Sequence, residues 1–101
     1  MTRLVVTADA EADTVAIIEY LQRTAGPAVA NDYGRHIRTT IERLLDFPSS
    51  GSPRPLLGAD TRIAIVAPYL LIYDYVLADD MLTLLRVLHG RRNITRELVR
   101  R

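Results

Sequence analysis

The sequence predicts a single α+β domain of order β-α-α-β-β-β, an antiparallel meander sheet with an N-terminal helix hairpin packed on one face. Three observations lead there. The first half holds two stretches of helical periodicity separated only by Gly26-Pro27. The second half holds three β-rich runs parted by short turns. The chain has 101 residues, 49% of them hydrophobic, which supports one modest core and leaves no room for a second, so residues 1–101 read as one domain.

Residues 3–7, Arg-Leu-Val-Val-Thr, are short, β-branched and apolar, and form the first strand. A helix follows, with Asp9 expected as its N-cap and with Glu11 and Asp13 favouring the positive end of its dipole. Ala10, Thr14, Ile17, Ile18 and Leu21 fall on one stripe, and Gly26-Pro27 stops the helix near Thr24. Pro27 suits the first turn of the second helix, whose stripe is Ala30, Gly34, Ile37, Ile41, Leu44 and Leu45 until Phe47-Pro48 ends it. So short a link makes the two helices antiparallel. Their outer face, Asn31, Asp32, Arg35, Arg38, Thr39, Glu42 and Arg43, reads as a solvated surface.

Residues 47–58 hold three of the five prolines and two of the five glycines, an ordered loop or a mobile crossover too short for a domain linker. The meander then takes residues 61–66, a turn at Ala67-Pro68, residues 69–77, a turn at 78–80, and residues 81–88. In its middle run Tyr69, Leu71, Tyr73 and Tyr75 share one face, and Leu70, Ile72, Asp74 and Val76 the other. The last run is apolar on both alternations, as in a strand covered on both faces, with Arg86 the exception. The first strand is placed beside the last, and the face opposite the helices is expected to be partly open, with tyrosines and Arg62 on it. Residues 93–101 start a short helix at Asn93 or fray.

Composition bounds the function. With no cysteine there is neither a disulfide framework nor a thiolate metal site. His36 and His89 lack metal-ligand spacing, so no metal and no cofactor is expected. No Gly-rich phosphate loop exists, and Asp79-Asp80 reads as a turn. The N-terminus lacks the apolar run of a signal peptide and no segment approaches a membrane span, so a soluble, cytoplasmic protein with no membrane contact is expected. The net charge of +1 conceals an asymmetry: residues 1–80 carry 7 Arg against 11 Asp and Glu, and residues 81–101 carry 6 Arg against one Glu, so −4 is followed by +5.

That charge gathers where the last strand leaves the sheet, at His89-Gly90-Arg91-Arg92, with Arg96 beyond. Gly90 is expected to take a turn that other residues resist. Guanidinium groups stay charged and bind phosphate or carboxylate bidentately, so the corner suits phosphate or an acidic protein partner. A solubilising tail around one structural histidine is the alternative, and composition does not separate the two.

The order strand, helix hairpin, Pro/Gly loop, Tyr69-Leu-Leu-Ile-Tyr73 and Val87-Leu-His-Gly-Arg-Arg-Asn93 resembles the RelE/ParE superfamily of toxins from type II toxin–antitoxin systems. Ala12-Asp13, Tyr20, Phe47-Pro48 with Gly51, and Arg62 add to the resemblance, which covers nearly the whole chain. RelE-like members are ribosome-dependent endoribonucleases with lysines and arginines on the sheet and a tyrosine near the C-terminus; ParE-like members lack that set and poison DNA gyrase by trapping its cleaved-DNA complex. This chain has no lysine, has Leu70 where a sheet arginine would follow the tyrosine, and has Leu98 about where the C-terminal tyrosine would fall. Only Arg91 or Arg92 matches the nuclease pattern. The resemblance is therefore closer to the ParE branch. It implies a gyrase inhibitor, not an enzyme, with His89, Arg91, Arg92 and Arg96 meeting the target and any nucleic-acid contact made through the target complex. The alternatives are a messenger endoribonuclease using His89 and Arg92, or an inactive binding relative. The resemblance also implies a cognate antitoxin bound as a hetero-oligomer, for which Ile18, Tyr20 and Tyr33 are the candidate contacts, although each suits core packing better.

Overall fold

Thr7, not Asp9, begins the first helix. In the computed structural model, which describes residues 1–100, the Thr7 hydroxyl accepts from the Ala10 amide at 3.1 Å, so β1 (Arg3–Val6) passes into α1 (Ala8–Ala25) through one capping residue. Asp9 and Glu11 then sit in the first turn, where they complement the dipole. Gly26 lies in the positive-φ region at +93°, which turns the chain straight into α2 (Pro27–Asp46) with its proline at the first helical position. Ala10, Leu21, Ala30, Ile37 and Leu44 are buried as their stripes require, while the charged outer face of α2 is exposed.

After α2 the chain adds a two-residue strand that periodicity could not reveal, β2 (Ser52–Pro53), within the Pro/Gly loop. The meander proper is β3 (Thr61–Val66), β4 (Tyr69–Val76) and β5 (Met81–His89), with a short 3-10 turn at Leu77–Asp79. The order across the five-stranded sheet is β1-β5-β4-β3-β2. β1 runs parallel to β5 with Arg3 opposite Met81 and Val6 opposite Leu84, and the other pairings are antiparallel. Proline 53 sits on the edge strand, where its missing N–H costs no ladder bond.

The alternation along β4 sorts two cores. Tyr69, Leu71 and Tyr73 meet Leu82, Leu84, Val87 and the helix hairpin, whereas Ile72 joins Ile63, Leu88, Leu57 and Val99 on the other face. That second face is not open. It is covered by the 54–58 loop and by the C-terminal segment, which folds back as α3 (Arg96–Val99) with Thr95, not Asn93, as its N-cap. The tyrosines expected there lie on the helix side, and Arg62 donates to the carbonyl oxygens of Ser49 and Gly51. Nor does the tail fray through its last described residue: Arg100 donates from Nε to Leu57 O at 2.7 Å and from Nη2 to Asp74. Arg101 lies outside the described residues. Among those residues no helix is long and apolar enough to cross a membrane.

Candidate functional site

β5 outruns its neighbour β1, and this mismatch builds the site. The parallel ladder ends at Val6–Leu84, yet β5 continues to His89. The vacated edge is filled by side chains and one amide from the start of α1. Thr7 N donates to Leu84 O at 3.1 Å, the Thr7 hydroxyl to Leu85 O at 2.9 Å, and Val87 N donates to Asp13 Oδ2 at 3.0 Å. Arg86, 4% exposed, answers the same carboxylate with Nε to Oδ2 at 2.7 Å and Nη2 to Oδ1 at 2.9 Å, and sends Nη1 to Leu98 O at 2.8 Å. The hydrogen bonds it donates to Asp13 hold the guanidinium above its ordinary pKa despite burial.

The expected corner forms just beyond. Gly90 N donates to Pro68 O at 2.8 Å and Arg92 N to His89 O at 3.0 Å, closing a turn at the mouth of the β4–β5 pair. Gly90 is not needed for a left-handed backbone, since Gly26 is the positive-φ glycine among the described residues; what it provides is close approach, because a Cβ there would lie 3.2 Å from Pro68 O, tighter than an ordinary contact. His89 is half-buried. Its Nδ1 accepts from Arg91 N at 3.0 Å, so that nitrogen carries no proton in this arrangement, and its ring meets Tyr69 edge-on at 5.7 Å. Tyr69, its phenol pKa raised by burial, meets Tyr33 in turn at 5.8 Å.

The five C-terminal arginines among the described residues thereby divide. Arg86 and Arg100 are consumed by Asp13 and Asp74. Arg91, Arg92 and Arg96 are exposed, and their guanidinium groups have no hydrogen-bond or ion-pair partner among the described residues. Sequence reasoning treated Arg86 only as an exception in an apolar strand. The usable signal was that a lone charge on a strand covered on both faces must find a buried partner.

The three residues expected at the antitoxin surface sit in different settings. Ile18 lines a groove of about 780 Å³ along the hairpin, with Leu4, Ile37, Ile41 and Leu45, and with Arg35, Arg38 and Glu42 also in its wall. Tyr33 belongs to the ring chain that ends at His89, and Tyr20 stands 53% exposed on α1 outside the groove lining.

A helix hairpin on one face of a mixed five-stranded sheet, with a cationic turn leaving the penultimate position of that sheet, is the architecture of a RelE/ParE-type toxin domain. Residues 4–94 match the family model for the ParE toxin of the type II toxin–antitoxin system parDE, and the chain belongs to that family. Its fold is similar to that of a chain in the chromosomal ParDE toxin–antitoxin system from P. aeruginosa, with a TM-score of 0.73 and 22% identity over 88% of this chain and 96% of that one. No curated protein matches it significantly.

Proposed function

We propose that this ParE-type toxin inhibits growth in the cytoplasm by poisoning DNA gyrase, trapping its cleaved-DNA complex, and is neutralised by a cognate antitoxin. The observation that carries the reading is the set of unpaired guanidinium groups of Arg91, Arg92 and Arg96 following β5. Three exposed cations on one turn and the helix after it suit DNA phosphates or an acidic protein surface, and they need no acid or base beside them.

Messenger cleavage would need a base, an acid and charge stabilisation together. The chain supports this poorly. His89 has Nδ1 engaged by the Arg91 amide, the Tyr73 hydroxyl is bound between Pro48 O and Gly51 N, and the Tyr75 hydroxyl donates to Asp80. The hairpin groove, apolar at Leu4, Ile18, Ile37 and Ile41 with charged residues in its wall, is suited to the apolar face of an amphipathic antitoxin helix.

The test is to incubate the toxin with gyrase, supercoiled plasmid and ATP, then add detergent and protease. Linear DNA that depends on both toxin and gyrase is expected. Its absence, from a preparation that stops growth in cells, overturns the gyrase assignment.

A further inference from the structure

We propose that Asp13 and Arg86 form the positioning pair of the arginine corner, holding both ends of the segment that presents Arg91, Arg92 and Arg96 to the target. The proposal rests on the reading of that corner as the target-binding surface.

The segment is tethered at two places by one ion pair. On its N-terminal side, Val87 N donates to Asp13 Oδ2 at 3.0 Å, two residues before His89. On its C-terminal side, Arg86 Nη1 donates to Leu98 O at 2.8 Å, two residues after Arg96. Between these tethers the other two guanidinium bonds run to Asp13, so α1, β5 and α3 meet at a single planar fork. Arg86 is buried and Asp13 largely so, with side-chain exposures of 5% and 15%, and the pair lies past Val6–Leu84, where the β1–β5 ladder ends. A lysine could keep the charge but not the fork: one ammonium has no fixed planar geometry with which to grip a carboxylate at two points while reaching Leu98 O.

The decisive variant is Arg86→Lys, read in two independent ways. Hydrogen exchange of the Gly90, Arg91 and Arg92 amides, which the fold ties to Pro68 O, His89 Nδ1 and His89 O, reports the order of the corner. We expect these amides to exchange about tenfold faster while those of β3 and β4 are unchanged, and about tenfold more toxin to be needed for the same yield of gyrase-linearised DNA. If Arg86→Lys does not fold, the double variant Asp13→Asn/Arg86→Gln removes both charges and leaves no unpaired ion in the interior. Faster exchange throughout the sheet, or an undisturbed corner, would mean that the pair only holds the fold, and either result overturns the proposal. A loosened corner with undiminished potency on gyrase does the same. Should the unaltered toxin give no linear DNA, the gyrase reading fails, and corner exchange in the variants still decides whether the pair positions the segment.

Discussion

Arg100 grips Asp74 at both carboxylate oxygens, Nη2 lying 2.7 Å from Oδ1 and 2.9 Å from Oδ2, and so closes the C-terminal segment over the sheet. Thr61 completes the clasp, its hydroxyl 2.5 Å from Asp74 Oδ1 and 2.6 Å from the same Nη2. Both ionic side chains keep partial exposure, 29% and 20%, so screening discounts the pair. Arg100→Ala is expected to cost about 1–2 kcal/mol, between a surface ion pair and a charge-assisted buried bond. Thermal unfolding measures the loss. Hydrogen exchange at Val99, the buried residue of the segment that Arg100 closes, should rise more than exchange at Leu84 on the other core.

Arg91→Ala/Arg92→Ala is expected to abolish growth inhibition while antitoxin binding persists, because both side chains are exposed and neither takes part in the packing. His89→Ala should do less harm to toxicity: it removes the acceptor for the Arg91 amide and the edge contact with Tyr69, an expected stability loss of about 1 kcal/mol. Colony counts on induction, with pull-down of the antitoxin, separate these effects. A His89 variant as inert as the double arginine variant would instead favour the nuclease.

The contrast between those arginines marks where sequence reasoning stops. Periodicity located the helix hairpin and the three long strands because each buries a stripe or a face that must be apolar, as Leu21, Ile37 and Leu71 are. The corner was legible for the same reason: an apolar strand that ends in His-Gly-Arg-Arg has nowhere to hide its charge. Which arginine is free was not legible. Arg86 and Arg100 are silenced by carboxylates 73 and 26 residues away, a pairing that only the crossing of α1 and the fold-back of α3 creates. The covered second face was missed because its lid, Leu57 with Val99, comes from a loop and a tail too short to show periodicity.

Tyr73 supplies a polar support at the centre of the helix-side core. Fully buried, it donates to Pro48 O at 2.7 Å and accepts from Gly51 N at 3.0 Å, tying the 47–51 loop to β4. Tyr73→Phe keeps the ring but strands a buried amide, so a loss of about 1–3 kcal/mol is expected in urea unfolding. A cost near zero would mean that water reaches Gly51 N in the variant.

Gly34 sits in the interior of α2, where glycine is a poor helix former. A Cβ there would meet only Ile18 Cδ1, at 3.6 Å, an ordinary contact. Gly34→Ala is therefore expected to stabilise the fold by about 0.5–1 kcal/mol, seen as a higher melting temperature. A lower one would show that the contact with Ile18 is already tight.

Acid should loosen the N-terminal edge through Asp80. Its Oδ1 accepts from the Thr2 hydroxyl at 2.8 Å and from the Tyr75 hydroxyl at 2.9 Å, and these two bonds hold the carboxyl below its ordinary pKa. A carboxyl depressed in the folded state contributes stability that is present above its unfolded value, about 3.9, and is lost as pH falls through the folded value. The bond to Asp80 also raises the Tyr75 phenol, so that contribution is present below about pH 10 and is lost as pH rises through the folded value. Asp80 occupies the left-handed region at φ +44°, which asparagine tolerates, so Asp80→Asn removes the charge without straining the turn. The variant should begin less stable at neutral pH and lose less between pH 4 and pH 2 than the unaltered protein, when urea midpoints are followed against pH. Parallel acid limbs would mean that the Thr2 and Tyr75 bonds favour the carboxylate no more than water does.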